Sequence, residues 1–288
     1  MSGVPRSWLY VPGHRPERVA KALASDAEAV VIDLEDAVPA DQKRTARENA
    51  LAVISKRADE DRTTGAPLWV RINPPARPEG RDDVAALSGA CVDGLRIPRA
   101  EDPVVIHHLA DRVGLPLQLL LESARGLSRA VELAEAHELV RGIGLGEADL
   151  AADLLVDTDV GLDWARGAVV VASRAAGLGS PVQSVWTDVT DLDGLQSSSQ
   201  AGRAMGFFGR SVVHPSQIAV VHEVYTPTAA QIEDARAVVR TAQEAAAQGE
   251  VAVLDDQGRF VDPAVVSRAR VVLDRAPSTS PDRGEESR

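Results

Sequence analysis

Residues 29–36 read AVVIDLED. An apolar, β-branched run passes straight into three carboxylates, Asp33, Glu35 and Asp36. A short apolar run bounded by polar residues reads as a buried strand. Either the acids solvate the strand end, or the strand delivers them to a cation. The same construction recurs in SWLYVP (7–12), LWVRIN (68–73), GLRIPR (94–99) and LQLLLES (117–123). It returns in GIGLGEADL (142–150), PVQSVWTDV (181–189) and SVVHPSQ (211–217). Amphipathic or alanine-rich stretches such as PERVAKALAS, KRTARENALAVISKRA and GLSRAVELAEA lie between them. Pro16 and Pro39 sit where the first turn of a helix tolerates proline. Strands alternating with helices predict a parallel sheet, and eight candidates are the number that closes a (β/α)8 TIM barrel.

Nearly every strand candidate ends in a residue of chemical interest: Glu35 and Asp36, Arg71 and Asn73, Arg99, Glu122, Glu147 and Asp149, His214. Barrel enzymes build their sites at the C-terminal ends of their strands, and this is the pattern such a site leaves. Beyond the last strand, AAQIEDARAVVRTAQEAAAQ predicts a long surface helix, followed by a hairpin-like turn and a final helix in VAVLDDQGRFVDPAVVSRARVVLD. The expected organisation is a catalytic barrel over 1–225, a C-terminal helix and lid segment over 226–275, and a disordered, proline- and serine-rich tail over 276–288.

The 288 residues and 44% hydrophobic content suit a globular protein with a sizeable core. A formal charge of −12 argues against a nucleic-acid binder, which needs a basic face for phosphates. One cysteine, Cys91, excludes an internal disulfide framework and fits a reducing compartment. The N-terminus lacks a signal-peptide core and no apolar run approaches a membrane span, so the expectation is a cytoplasmic protein without a membrane partner. Within this acidic chain, Arg6, Arg15, Arg18 and Lys21 cluster against a single acid, Glu17. That cluster suits either a solvated helix face or a phosphorylated small molecule.

Glu122 and Asp149 fall at the ends of consecutive strand candidates, and neighbouring strands lie ~4.8 Å apart. Their side chains can converge on one hard cation such as Mg²⁺, which takes one or two protein carboxylates and fills its shell with substrate and water. Helix capping, or ion pairs with Arg125 or Arg141, is the structural alternative. Arg71 follows an apolar run and needs an anionic partner, from protein or substrate. His214 reads either as a base or as a hydrogen-bonded strand end. The glycines of GIGLGEADL lack the third position of a dinucleotide fingerprint.

In order along the chain, RSWLYVPGHRPERVAKAL, VVIDLEDAV, VRIN, LLLESARG, LGEADLAADL, DLDGL, GFFGRSVVHPSQIAVVHEVYTP and QGRFVDPAVVSRA form a pattern. It resembles the citrate lyase beta-subunit-like branch of the HpcH/HpaI aldolase and CoA-ester lyase superfamily over about residues 6–274. The resemblance implies a (β/α)8 TIM barrel with a C-terminal helical lid extension, and Mg²⁺-dependent C–C bond lysis of a 3-hydroxyacyl-CoA ester. It implies Glu122 and Asp149 as metal ligands, with Glu35 and Asp36 on the metal's waters. Arg71 would hold the 2-oxo acid product, and Arg15, Lys21 and His214 would contact coenzyme A. Asp262 corresponds to an acid that relatives contribute across a subunit boundary. One departure stands out: relatives usually carry lysine where this chain has Arg99, and it has only three lysines, at 21, 43 and 56.

These groups support cleavage of a malyl-, citramalyl- or citryl-type CoA ester into a 2-oxo acid and an acyl-CoA. Two other readings share the residues: thioester hydrolysis of malyl-CoA, and a citrate lyase beta subunit acting only within a larger complex. The apolar positions Val265, Val266, Ala269 and Val272 lie at helical spacing and need a surface. The resemblance favours docking on a neighbouring copy in a homotrimer with shared sites.

Overall fold

The computed structural model describes residues 4–58 and 65–277; the predicted disordered tail lies, from residue 278 on, outside the described residues. The described chain divides into two compact units, residues 4–222 and 223–277. The first holds a seven-stranded parallel sheet in the order β6-β5-β4-β3-β2-β1-β7. Its strands are β1 (Ser7–Pro12), β2 (Ala29–Asp33), β3 (Leu68–Arg71), β4 (Gly94–Ile97), β5 (Leu117–Leu121), β6 (Val140–Leu145) and β7 (Arg210–Val212). All five residues of β2 are buried, as expected of a parallel strand covered on both faces. The register aligns Asp33 with Arg71, and Arg71 with Arg96.

Helices follow the strands: α1 (Pro16–Leu23), α2 (Lys43–Ala58), α3 (Pro78–Leu87) and α4 (Pro103–Val113). The GLSRAVELAEA stretch, read as one helix, forms two short ones, α5 (Ala124–Ser128) and α6 (Ala130–Ala134), broken at Arg129. Then come α7 (Glu147–Leu154), α8 (Asp163–Ala175), α9 (Leu192–Met205) and α10 (Ile218–Tyr225). Proline opens α1, α3 and α4, where its missing N–H is no loss, and Gly114 and Gly206 close α4 and α9 in the left-handed conformation. Among the described residues, no helix is long and apolar enough to cross a membrane.

The sheet is curled. Arg96 on β4 donates to Ser211 on β7, 3.0 Å away, although three strands separate the two in sheet order. The concave side holds Trp8, Ala29, Val31 and Trp69 as an apolar cluster, with the two indoles edge to face at 5.4 Å. Gly94 is required there, because a Cβ would sit 2.3 Å from the Trp69 ring.

The expected strand at 181–189 does not form. Gln183 alone bridges Arg210, flanked by the Phe208 N–H to Pro181 carbonyl bond, while the Ser184 hydroxyl donates to the Leu145 carbonyl on β6. Pro181 cannot donate, and the Ser184 side chain takes an acceptor that a ladder amide would otherwise use. Residues 183 and 184 thus touch both edge strands without extending either.

The second unit contains α11 (Ala229–Ala247), a two-residue hairpin of β8 (Val253–Leu254) with β9 (Phe260–Val261), and α12 (Pro263–Asp274). Val265, Val266, Ala269 and Val272 pack with Ala235 and Val238 of α11 and Val261 of β9. The apolar face of α12 is therefore covered inside its own unit. The surface that the sequence required for these positions is supplied by α11 and β9, not by the docking on a neighbour that the resemblance favoured for this face.

Candidate active site

Asp33 ends β2 with its carboxylate almost wholly buried. It accepts from the backbone N–H groups of Glu35 and Ala37, folding the chain after the strand into a tight turn. The Lys43 ammonium and the Asn73 amide both donate to the Leu34 carbonyl, and Lys43 also donates to the Glu35 carbonyl. The acid-bearing turn is thereby held from three sides.

Arg71, the last residue of β3, meets Asp33 as a two-pronged fork: Nε to Oδ1 at 2.7 Å and Nη2 to Oδ2 at 2.8 Å. Its third nitrogen donates to Asp36 at 3.1 Å and lies 2.9 Å from Glu35 Oε2 without a well-aligned hydrogen bond. Burial opposes the charge on Asp33, but the Arg71 guanidinium and the backbone donors hold its carboxyl below the usual range. Arg71 so locked cannot swing, and its charge faces the acids at the head of the strands.

Glu122 follows β5 directly and is 4% exposed. Its Oε2 accepts the Arg99 backbone N–H at 2.9 Å, while Arg99 Nη2 donates to Asp149 at 3.0 Å. Arg99 makes both contacts from a left-handed backbone, with φ at 49°. Asp149 is not at a strand end as the sequence suggested. β6 stops at Leu145, and Asp149 lies in the first turn of α7, where the positive end of the helix favours an acid. The junction is Gly146, where a Cβ would fall 2.5 Å from Glu122 Cγ. Glycine is what lets the helix start approach the glutamate.

Five acids crowd this end of the sheet. Burial pushes Glu35 up to about 8; Arg71 opposes that, but Asp36, Glu122 and Asp33 push further. Glu122 rises to about 7, again chiefly by burial and then by Asp149 and Asp36. Glu35 Oε2 is buried without a hydrogen-bond partner. Hard oxygen donors, an orphaned carboxylate oxygen and acids driven toward neutrality fit a bound divalent cation. Among the described residues, no three of His, Cys, Asp and Glu gather as a ligand set, so such an ion draws most of its shell from elsewhere. Mg²⁺ is the ion with that habit.

Beside the acids opens a cavity of about 840 Å³. Arg71, Glu122 and Asp149 line one part of it, with Arg15 and Arg18 from the basic N-terminal stretch. Lys21 is exposed on α1 and is not part of this lining. His214 is also outside it: its Nδ1 accepts from the Ser216 amide and caps the turn at 215–217. Asp262 belongs to the second unit, where its carboxylate caps α12 by accepting the Val265 N–H. The turn, the fork and the two acids around Arg99 reproduce, in order, the segments VVIDLEDAV, VRIN, LLLES and GEADL. The HpcH/HpaI aldolase/citrate lyase family model matches residues 6–215.

The chain belongs to this family.

A second family model, a C–C bond lyase of the TIM-barrel fold, matches residues 168–267. The chain is 36% identical over 276 residues to a (3S)-malyl-CoA thioesterase of Cereibacter sphaeroides, covering 94% of each. It is 32% identical over 286 residues to the citrate lyase subunit beta of Escherichia coli K12, covering 94% of this chain and 93% of the relative. Among solved structures it is similar to the protein CitE from Mycobacterium tuberculosis in complex with magnesium, acetoacetate and coenzyme A. That match has a TM-score of 0.79 at 31% identity, over 96% of this chain and 98% of the other. HpcH/HpaI aldolase/citrate lyase proteins are enzymes that break carbon–carbon bonds or act on CoA esters.

At this candidate site the sequence left the contacts of three residues unread. Asp33, the partner of Arg71, was legible as an acid but not as the one turned toward β3. Lys43 gave no signal, since its role is to hold two carbonyls. Arg99 stood out at a strand end and as a departure from lysine, but not as a group that touches both expected metal ligands.

Proposed function

We propose that the protein is a Mg²⁺-dependent CoA-ester lyase that cleaves, or forms, a malyl-, citramalyl- or citryl-type thioester. The observation that carries this reading is the placing of Glu122 and Asp149 around Arg99 at the head of a cavity that Arg71 also lines. Glu122 and Asp149 would hold the ion, with Glu35 and Asp36 beside its waters. Bound there, Mg²⁺ supplies a Lewis acid for the hydroxyl and carboxylate of the substrate. Arg71, fixed by Asp33, would receive the negative charge that develops on the departing 2-oxo acid. Arg15 and Arg18, with Lys21 and His214 further out, would serve the phosphates of coenzyme A. Asp262 would protonate the enolate carbon of the acyl-CoA product, or remove that proton in condensation.

The finer architecture belongs to the same reading. Residues 181–184 would stand in the eighth strand position and close the barrel, and the second unit would act as the lid of a cytoplasmic homotrimer. Hydrolysis of a malyl-CoA thioester is the second reading, supported by the similarity to the Cereibacter enzyme. A citrate lyase beta subunit working only inside a complex is the third. The test is to give the purified chain free malyl-, citramalyl- and citryl-CoA, with Mg²⁺ or with excess EDTA. Release of a 2-oxo acid only with Mg²⁺ is the expected result. Free CoA without a 2-oxo acid would favour hydrolysis, inactivity without partner subunits the subunit reading, and full activity in EDTA would overturn the metal assignment.

A further inference from the structure

Arg96 lines the cavity and has no part in the reaction above. It projects from β4 into the concave side of the sheet and is 2% exposed. A buried guanidinium almost always faces a carboxylate, because an uncompensated charge away from water is costly. Among the described residues Arg96 has no acidic partner. Its Nε donates to Gln118 Oε1 at 2.9 Å, and Nη1 donates to the Tyr10 hydroxyl at 2.7 Å and the Ser211 hydroxyl at 3.0 Å. The guanidinium lies over the Trp8 ring at 4.5 Å and the Tyr10 ring at 5.3 Å. All of these partners are neutral. Nη2, with two N–H donors, makes no hydrogen bond among the described residues. Arg96 lines the 840 Å³ cavity, as do Tyr10, Gln118 and Ser211.

The position matters as much as the missing charge. Arg71 lies 5.1 Å from the centre of the same Tyr10 ring that Arg96 approaches at 5.3 Å. The two guanidinium carbons therefore lie no more than about 10 Å apart, and both residues line the same cavity. Arg71 is already neutralised by Asp33; Arg96 is not. On the same sheet β6 contributes Gly142 and Gly144 to the cavity lining, positions that carry no side chain to fill it. An unspent pair of donors and an uncompensated positive charge thus belong to the cavity that Arg71 also lines.

We propose that Arg96, with Ser211 and Gln118 holding it, is an inner carboxylate subsite that reads a second acid group on the 2-oxo acid half of the substrate. This rests on the lyase reading, in which the first carboxylate stays near Arg71 and the metal. A chain of roughly four to six carbons, at ~1.5 Å per bond, bridges such a pair. The preferred 2-oxo acids are thus dicarboxylic.

The test is calorimetric binding to the full chain in Mg²⁺, with no turnover required. The probes are acids matched in length: 2-oxobutanoate against oxaloacetate, and 2-oxopentanoate against 2-oxoglutarate. The diacid of at least one pair should bind roughly tenfold to a hundredfold more tightly, the scale of a hydrogen bond to a charged group. Arg96→Gln should erase that preference while leaving the monoacid within about twofold. Should that variant fail to fold, Ser211→Ala keeps the charge but loosens it, and the preference should shrink. Equal binding of mono- and diacids by the unmodified protein, or a preference that survives Arg96→Gln, overturns the subsite alone. Binding of neither acid overturns the lyase reading and the subsite with it.

Discussion

The contact between Arg71 and Asp33 is bidentate, and a bidentate fork is what lysine cannot reproduce. Arg71→Lys keeps the charge, but a single ammonium cannot serve both Asp33 oxygens and still face Asp36. The expected loss in kcat/KM corresponds to ~2–4 kcal/mol, the scale of removing one preorganised donor. Activity within twofold of the parent would show that the fork is structural only. The crowded acids make a second prediction, for stability. Glu35 and Glu122 have folded-state values raised from 4.5 to about 8 and about 7. Each therefore holds a proton in the folded chain that the unfolded chain has already released. The folded state binds more protons in that window, so stability falls as pH rises. The stabilising contribution is complete below 4.5 and lost as pH passes through about 7 and about 8. Thermal melting of metal-free protein should show this decline on its alkaline side, and Mg²⁺ should raise Tm most where both acids are ionised. A Tm independent of pH across that window, or a Mg²⁺ effect largest at acid pH, would show that the two carboxylates are not held together as described.

At the level of elements, the strand-and-acid rhythm of the sequence located seven of the eight expected strands, because parallel strands buried on both faces leave continuous apolar runs. It failed at 181–189, where apolar residues are present but the hydrogen bonds run through a serine side chain and a single bridge. It also placed Asp149 on a strand, because nothing in GIGLGEADL marks where a glycine ends the strand and begins a helix. Local pattern reports which residues want burial; it does not report which backbone groups find partners across the chain. The partners of Arg96 and Asp33 were not legible for the same reason, since they depend on what the curled sheet brings beside each side chain. The β6–α7 junction offers a direct test. In Gly146→Ala the new methyl group would lie 2.5 Å from Glu122 Cγ, near the root of a buried side chain, so Glu122 or the turn must shift. Overpacking of this kind costs about 1–3 kcal/mol. Mg²⁺ affinity by calorimetry should fall at least about tenfold, since ~1.4 kcal/mol spent on displaced Glu122 already gives that factor. Gly142→Ala is the control, because its methyl would meet Gln118 at an ordinary 3.6 Å and should leave Mg²⁺ affinity unchanged. Equal effects from the two variants would mean that Gly146 does not position Glu122.

For the whole molecule, the open matter is what the second unit does with Asp262. Its carboxylate already has a local task as the N-cap of α12, and removing a cap costs about 1 kcal/mol. Asp262→Ala would therefore confuse a loosened helix with a lost acid. Asparagine separates the two, because it caps a helix as well as aspartate does and cannot exchange a proton at neutral pH. If Asp262 is the proton donor, Asp262→Asn should keep the parent's Tm and lose most turnover. If the residue is only a cap, Asp262→Asn should be active and Asp262→Ala merely less stable. The same variant decides whether sites are shared between copies. An Arg71→Ala chain lacks the anion holder and an Asp262→Asn chain lacks the acid, so each alone should be inactive. In a homotrimer whose second unit serves a neighbouring copy, mixed and co-refolded chains contain some sites with both native groups. Part of the activity should then return, and it should depend on the mixing ratio. Active sites built within single chains would regain nothing at any ratio, because every chain carries one defect. Since the apolar face of α12 is satisfied by α11, any contact with a neighbour must use other surfaces of the unit. Phe260, Leu254 and Val251 are the large apolar side chains it leaves most exposed. Phe260→Ser should therefore abolish the complementation while leaving the fold of each chain intact, and complementation that persists in that variant would place the contact elsewhere.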